Sequence, residues 1–186
     1  MLELRPYQHK IIESIRSKFK DGHRRILMSA PTGSGKTVKF TFMVSEHLKR
    51  GGRVLILTHR TELVNQTDKT FKNFGLEPEF ITAGSKPDLS KQLHVAMIET
   101  IYKRADEYSE FIGSRTMIIL DECHLTTFNK IFPYISDSTL VIGATATPLR
   151  TGKQECLSDF YTDMVQEIDT PQLIQDGYLC NVHTYG

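Results

Sequence analysis

The 186-residue chain has no tryptophan, only three cysteines and seven prolines, and almost no net charge, with 23 Lys and Arg against 22 Asp and Glu. Each shortage excludes something. Cys123, Cys156 and Cys180 are odd in number and at no metal-ligand spacing, which argues against a disulfide-stapled scaffold or a zinc module. A formal charge of +1 provides no broad basic field, so any contact with a polyanion has to be local. The apolar runs are only a few residues long and the first twenty residues carry charges throughout. The expectation is therefore an intracellular, cytoplasmic protein (host cytoplasm if viral) with no membrane span, no secretory leader and no membrane partner. What is present is an ordinary globular mixture, 39% hydrophobic and 24% charged, long enough to bury a sizeable core.

Two periodicities alternate along the chain. After Tyr7, the residues Ile11, Ile15 and Phe19 recur every four positions among Lys10, Glu13, Arg16 and Lys18, which predicts an amphipathic helix with Pro6 in its first turn. β-rich runs follow at Ile26–Met28, Val54–Leu57, Leu93–Ala96, Met117–Leu120 and Leu140–Ile142, several of them continuously apolar, as strands buried on both faces are. Helical stretches are expected between them at 36–50, 60–74 and 99–112. Gly51-Gly52 and Gly75 stand where the first two of these should stop. Strand and helix taking turns predicts an α/β fold with a mostly parallel central sheet and helices on both faces. Beyond Pro148 the pattern weakens. It reads as a helix near 153–163, a short one from Pro171 to Gly177, and no further strand-helix unit.

Chemistry concentrates at the ends of three strands. The first runs into Ala30-Pro31-Thr32-Gly33-Ser34-Gly35-Lys36-Thr37 and then a helix. Backbone N–H groups of such a turn and the N-terminus of the next helix attract phosphate. Lys36 suits the terminal phosphates and the Thr37 hydroxyl suits Mg²⁺. Ala30 takes the place of the first glycine of the generic phosphate-loop pattern. Asp121-Glu122-Cys123-His124 follows the strand 117–120 and offers one carboxylate, Asp121, for Mg²⁺ through water and another, Glu122, to act as base. Taken alone, Asp-Glu at a strand end is a solvated turn about as often as a site. Gly143-Ala144-Thr145-Ala146-Thr147-Pro148 closes a third strand with two hydroxyls able to bond the acidic loop. Cys123 has acidic neighbours, which disfavour a thiolate, so it reads as a packed residue.

In this order, Leu4-Arg5-Pro6-Tyr7-Gln8, the loop 30–37, Asp121-Glu122-Cys123-His124 and Thr145-Ala146-Thr147-Pro148 resemble the Q motif and motifs I, II and III of superfamily-two helicases, in the DExH variant. The likeness is greatest to DNA repair and recombination helicases of phage or bacteria and to restriction-enzyme motor subunits. It implies a RecA-like P-loop NTPase domain over 1–168, with 169–186 as the lead-in to a second RecA-like domain of the same parent protein. ATP would be the substrate and Mg²⁺ the cofactor. Lys36, Asp121 and Glu122 would be catalytic, and Arg5, Gln8, Thr32, Gly33, Ser34, Gly35, Lys36 and Thr37 would hold ATP, with Gln8 reading the adenine edge. His124, Thr145 and Thr147 would couple the nucleotide state to movement. Arg60, Thr82, Gly84 and Thr100 would touch the nucleic-acid backbone, DNA first and RNA as the alternative. Glu99 departs from the family, which usually has Gln there, and a carboxylate repels phosphate. The function implied is the N-terminal lobe of a nucleic-acid-dependent ATPase that moves on or unwinds DNA, weak in isolation. A nucleotide- and partner-binding module without turnover is the alternative, and a kinase or GTPase fits the phosphate loop but not Gln8 or the Thr-Ala-Thr-Pro element.

Overall fold

The computed structural model describes residues 4–59, 70–148, 156–166 and 169–180. Helix α1 (Pro6–Lys20) opens the chain with Pro6 in its first turn and buries Tyr7, Gln8, Ile11, Ile12 and Ile15. Strand β1 (Arg25–Ser29) leads through the glycine-rich loop into α2 (Lys36–Leu48). Then come β2 (Val54–Thr58), β3 (Glu79–Ile81), β4 (Leu93–Met97), α3 (Ile98–Lys103), α4 (Ser109–Gly113), β5 (Met117–Asp121), a 3₁₀ segment Thr126–Tyr134 and β6 (Leu140–Thr145). A 3₁₀ turn at Leu157–Asp159, β7 (Asp163–Gln166) and α5 (Thr170–Gln175) follow.

The seven strands form one sheet in the order β3-β4-β2-β5-β6-β1-β7, and every pairing is parallel. Because side chains alternate across a strand, successive apolar residues feed opposite layers. Val54, Ile56, Met117 and Ile119 join α1 and α2 on one face. Leu55, Leu57, Ile118 and Leu120 join the α3, α4 and 3₁₀ residues on the other. The continuous apolar runs thus belong to strands covered on both sides, and the fold is the RecA-like α/β arrangement.

The structure departs from the expected elements at three places. The stretch 99–112 is two short helices, α3 and α4. The chain breaks between them where Asp106 takes a hydrogen bond from the Tyr134 hydroxyl at 3.0 Å and its carbonyl accepts from Ser109. Asp favours such local bonding over a helix interior. After Pro148 there is a further strand, β7, aligned on β1 from Ile26↔Asp163 to Ser29↔Gln166. Only Val165 of its four residues is buried, so its pattern is too short to read as period two. The expected helix near 153–163 is replaced by the Leu157–Asp159 turn and the start of this strand over its described residues. The three-residue β3 also escaped the apolar pattern, Ile81 being its one buried residue.

Candidate active site

Parallel strands deliver all their C-terminal ends to one edge, and three neighbours, β5, β6 and β1, carry the chemistry. Register places Ser29 beside Thr145 and Asp121 beside Ala144. The loop 30–37 therefore lies two strands from the acidic residues, roughly 10 Å at ordinary strand spacing. Lys36 spans that gap: its Nζ stands 3.3 Å from Glu122 Oε1. The ammonium is buried and, among the described residues, has no hydrogen bond and pairs with that carboxylate. Thr37, at the start of α2, and Asp121, at the end of β5, border the same small cavity.

The loop's shape rests on two left-handed glycines, Gly33 at φ 82° and Gly35 at φ 78°. A Cβ on Gly35 would also meet Gln8 Nε2 at 2.6 Å, so α1 and the loop are fitted to each other there. The wholly buried Ser34 is the fixed point. Its carbonyl accepts from the Tyr7 hydroxyl at 3.1 Å, from Gln8 Nε2 at 3.3 Å and from Lys39 Nζ at 3.4 Å. Gln8 also accepts the Arg5 N–H through Oε1 at 3.0 Å, so both ends of its amide serve its own chain. Thr32 and Gly33 face solvent.

Glu122 has φ 55°, a left-handed conformation that L-residues seldom adopt. Its other oxygen lies 3.4 Å from His124 Nδ1, and the same nitrogen is 2.9 Å from Thr145 Oγ1. Thr145 Oγ1 accepts the Thr147 N–H at 3.0 Å and lies 3.4 Å from its hydroxyl. The acidic loop and the end of β6 are thus joined through one imidazole. Cys123 is 1% exposed in the apolar layer, the packed residue that its acidic neighbours suggest.

Thr82 and Gly84 lie in the turn after β3, closed by Ser85 N–H to the Thr82 carbonyl at 3.1 Å, and Thr100 lies in α3 after β4. These elements occupy the β2-β4-β3 half of the same edge, beside the Lys36–Glu122 half rather than within it. Glu99 is exposed next to Thr100. Arg60 lies outside the described residues. Sequence reasoning gave no role to Tyr7 or Lys39. Lys39 offered a signal: it is four positions from Met43 on the inward side of α2, so a lysine there has to be buried.

A subunit of the type I restriction enzyme EcoAI endonuclease from Escherichia coli is 29% identical over 94% of this chain. The ATP-dependent DNA helicase uvsW of Enterobacteria phage T4 is 25% identical over 83% of it. The chain spans 23% and 33% of the lengths of these two relatives. The crystal structure of UvsW from bacteriophage T4 superposes with a TM-score of 0.73 at 20% identity, covering 89% of this chain and 60% of that one. The type ISP restriction-modification enzyme LlaGI, a nuclease-deletion mutant in complex with a DNA substrate mimic, gives 0.69 at 20% identity, over 95% of this chain and 21% of that one. Both structural likenesses concern the fold. Residues 1–150 match the family described as type III restriction enzyme, res subunit, and the chain belongs to that family as a helicase-type ATPase domain.

Proposed function

We propose that the chain binds Mg-ATP at the edge formed by β1, β5 and β6, and serves as the ATP-binding N-terminal lobe of a DNA-dependent ATPase that couples hydrolysis to movement on or unwinding of DNA. Residues 1–168 form the lobe, and 169–186 lead toward a second RecA-like domain. The observation that carries this reading is the Lys36 ammonium, buried, without a hydrogen bond among the described residues, and facing the Glu122 carboxylate across 3.3 Å. A buried cation held by one carboxylate is poised to exchange it for a stronger anion.

In that reading Lys36 leaves Glu122 for the phosphates, while the loop's N–H groups and the start of α2 face the same charge. Glu122, released from the ammonium, is then free to accept a proton from an attacking water. The Thr37 hydroxyl and the Asp121 carboxylate on one cavity are hard oxygen donors of the kind Mg²⁺ takes one or two at a time, so they fit the ion. When bound, the metal supplies positive charge to the phosphate oxygens. His124, touching Glu122 and Thr145 together, carries a change in the acidic loop to the end of β6.

The test has two arms. Titration of Mg-ATP into this chain should give saturable binding that Lys36→Ala abolishes. Phosphate release should be weak for this chain and strongly raised by DNA for a longer polypeptide containing the second lobe. No Mg-ATP binding sinks the site, and no DNA stimulation in the longer polypeptide sinks the motor reading.

A further inference from the structure

A cavity of about 600 Å³ opens at the opposite end of the sheet, where α1 and α2 finish and β5 and β6 begin. The five-residue strands put it roughly 15 Å from the edge that carries the glycine-rich and acidic loops. Ile15, Phe19, Met43, Met117 and Leu140 form its floor. Ile15 and Phe19 come from α1, Met43 from α2, and Met117 and Leu140 are the first residues of their strands. Phe19 and Leu140 are only partly buried, so the fold leaves apolar surface uncovered there among the described residues.

The rim is charged, and its charges do not balance. Its two carboxylates are already engaged: Arg16 donates to Glu13 at 2.6 Å and Lys49 to Glu46 at 2.8 Å. The hydrogen bond from Lys49 holds the Glu46 carboxyl below its ordinary range, and the charges of Lys49, Arg16 and Arg50 push the same way against its burial. Lys20, Arg24 and Arg50 stand exposed around the same opening with no carboxylate partner among the described residues. Arg24 also secures the end of α1 by donating to the Phe19 and His23 carbonyls at 3.1 and 2.9 Å. A chain of formal charge +1 thus gathers a local excess of cations around an apolar hollow.

We propose that this cavity docks an acidic, apolar-anchored segment of a partner protein: apolar side chains enter the hollow while flanking carboxylates meet Lys20, Arg24 and Arg50. An apolar floor inside a polar rim is the ordinary anatomy of a protein interface, and here the rim's surplus charge sets the sign of the partner. A nucleic acid matches less of the surface. Its phosphates would face Glu13 and Glu46, and Phe19 is a single ring where stacked bases need a platform. The opposite edge of the sheet stays uncovered, so a partner seated here leaves the Lys36–Glu122 site open.

Fluorescence anisotropy tests this with labelled probes and the 186-residue chain. The probes are a peptide of about twelve residues mixing leucine and phenylalanine with glutamate, the same peptide with lysine for glutamate, the same peptide with serine for its apolar residues, and single-stranded DNA of similar length. The first peptide should bind, should weaken as salt is raised, and should weaken by at least about tenfold in Lys20→Glu/Arg50→Glu. Both of those side chains are exposed, so their reversal leaves the core intact. Reversing two charges elsewhere, in Lys86→Glu/Lys103→Glu, should leave binding within about twofold. No binding of the first peptide by the wild-type chain overturns the proposal. Equal binding of the lysine peptide or of the serine peptide does the same, since either shows that charge or floor plays no part. Equal losses in the two double variants overturn it as an effect of net charge. DNA binding that Lys20→Glu/Arg50→Glu abolishes, with peptide binding unmoved, overturns it in favour of a nucleic-acid face.

Discussion

Glu122 is held in a left-handed backbone conformation at φ 55°, the one non-glycine residue with positive φ among those described. Such a conformation costs on the order of 1 kcal/mol or more and persists only where surrounding contacts impose it. Here the Cys123 N–H donates to the Ala144 carbonyl at 3.0 Å, and Lys36 and His124 hold the two carboxylate oxygens. Replacing the carboxylate with an amide removes the proposed base and its charge but keeps the shape. In the longer polypeptide with DNA, Glu122→Gln should retain Mg-ATP binding and lower phosphate release by at least about a hundredfold, the lower end of what a positioned base supplies. A phosphate-release assay at saturating ATP checks this, and a wild-type rate would remove Glu122 from its role. The meeting of Lys36 with the acidic loop was legible in the sequence because each sits in a short motif directly after an apolar strand. Tyr7 and Lys39 were not, because their importance lies in a shared contact with the Ser34 carbonyl, and nothing in local spacing announces a long-range hydrogen bond.

At the scale of elements, α1 and the phosphate loop act as one piece. Three donors from two helices, Tyr7, Gln8 and Lys39, converge on a single carbonyl, and the hydroxyl of Ser34 accepts from Lys39 as well, at 3.1 Å. Tyr7→Phe removes one of those donors while keeping the ring. Because two donors remain, the expected cost is about 1 kcal/mol, visible as a lower urea midpoint with an unchanged slope. A loss several times larger would mean that the hydroxyl alone sets the loop. The alternation of strands and helices was legible from hydrophobic runs, since a strand buried on both faces has to be apolar at every position. β7 was not, because an edge strand with one buried residue in four has almost no pattern to show. It is held instead by its pairing to β1 and by the Lys18 ammonium, 2.8 Å from the Asp163 carboxylate. That hydrogen bond and charge lower the Asp163 carboxyl below its ordinary range.

Across the sheet, the C-terminal edge divides into a half on β1, β5 and β6, which carries the glycine-rich and acidic loops, and a second half on β2, β4 and β3. His94 lies within β4, wholly buried. Its Nε2 is 3.0 Å from the Asp88 carbonyl, and its Nδ1 has no hydrogen-bond partner among the described residues. Burial pushes its imidazole below the ordinary value, opposed by the Asp88 carbonyl and assisted by the charge of Arg115. The unfolded chain then takes up a proton on this residue before the folded one does. The associated stability is present above the ordinary imidazole value near 6.5 and is lost as pH falls through the lower folded value. Thermal melts should show the midpoint falling as the pH drops below about 6.5, and falling less steeply in His94→Gln. Parallel curves for the two proteins would rule His94 out as the source.

The ion pair between Lys36 and Glu122 also bears on which anions the resting site admits. A cation already balanced by its own chain offers little to a singly charged visitor such as chloride or a stray carboxylate, which has to break one attraction to make another of equal size. A polyphosphate brings several charges and several acceptor oxygens at once, and gains from the loop what it forfeits at the lysine. On the proposed reading, self-neutralisation is thus a selectivity filter by valence, one that disfavours small single-charged anions and yields to a multivalent one.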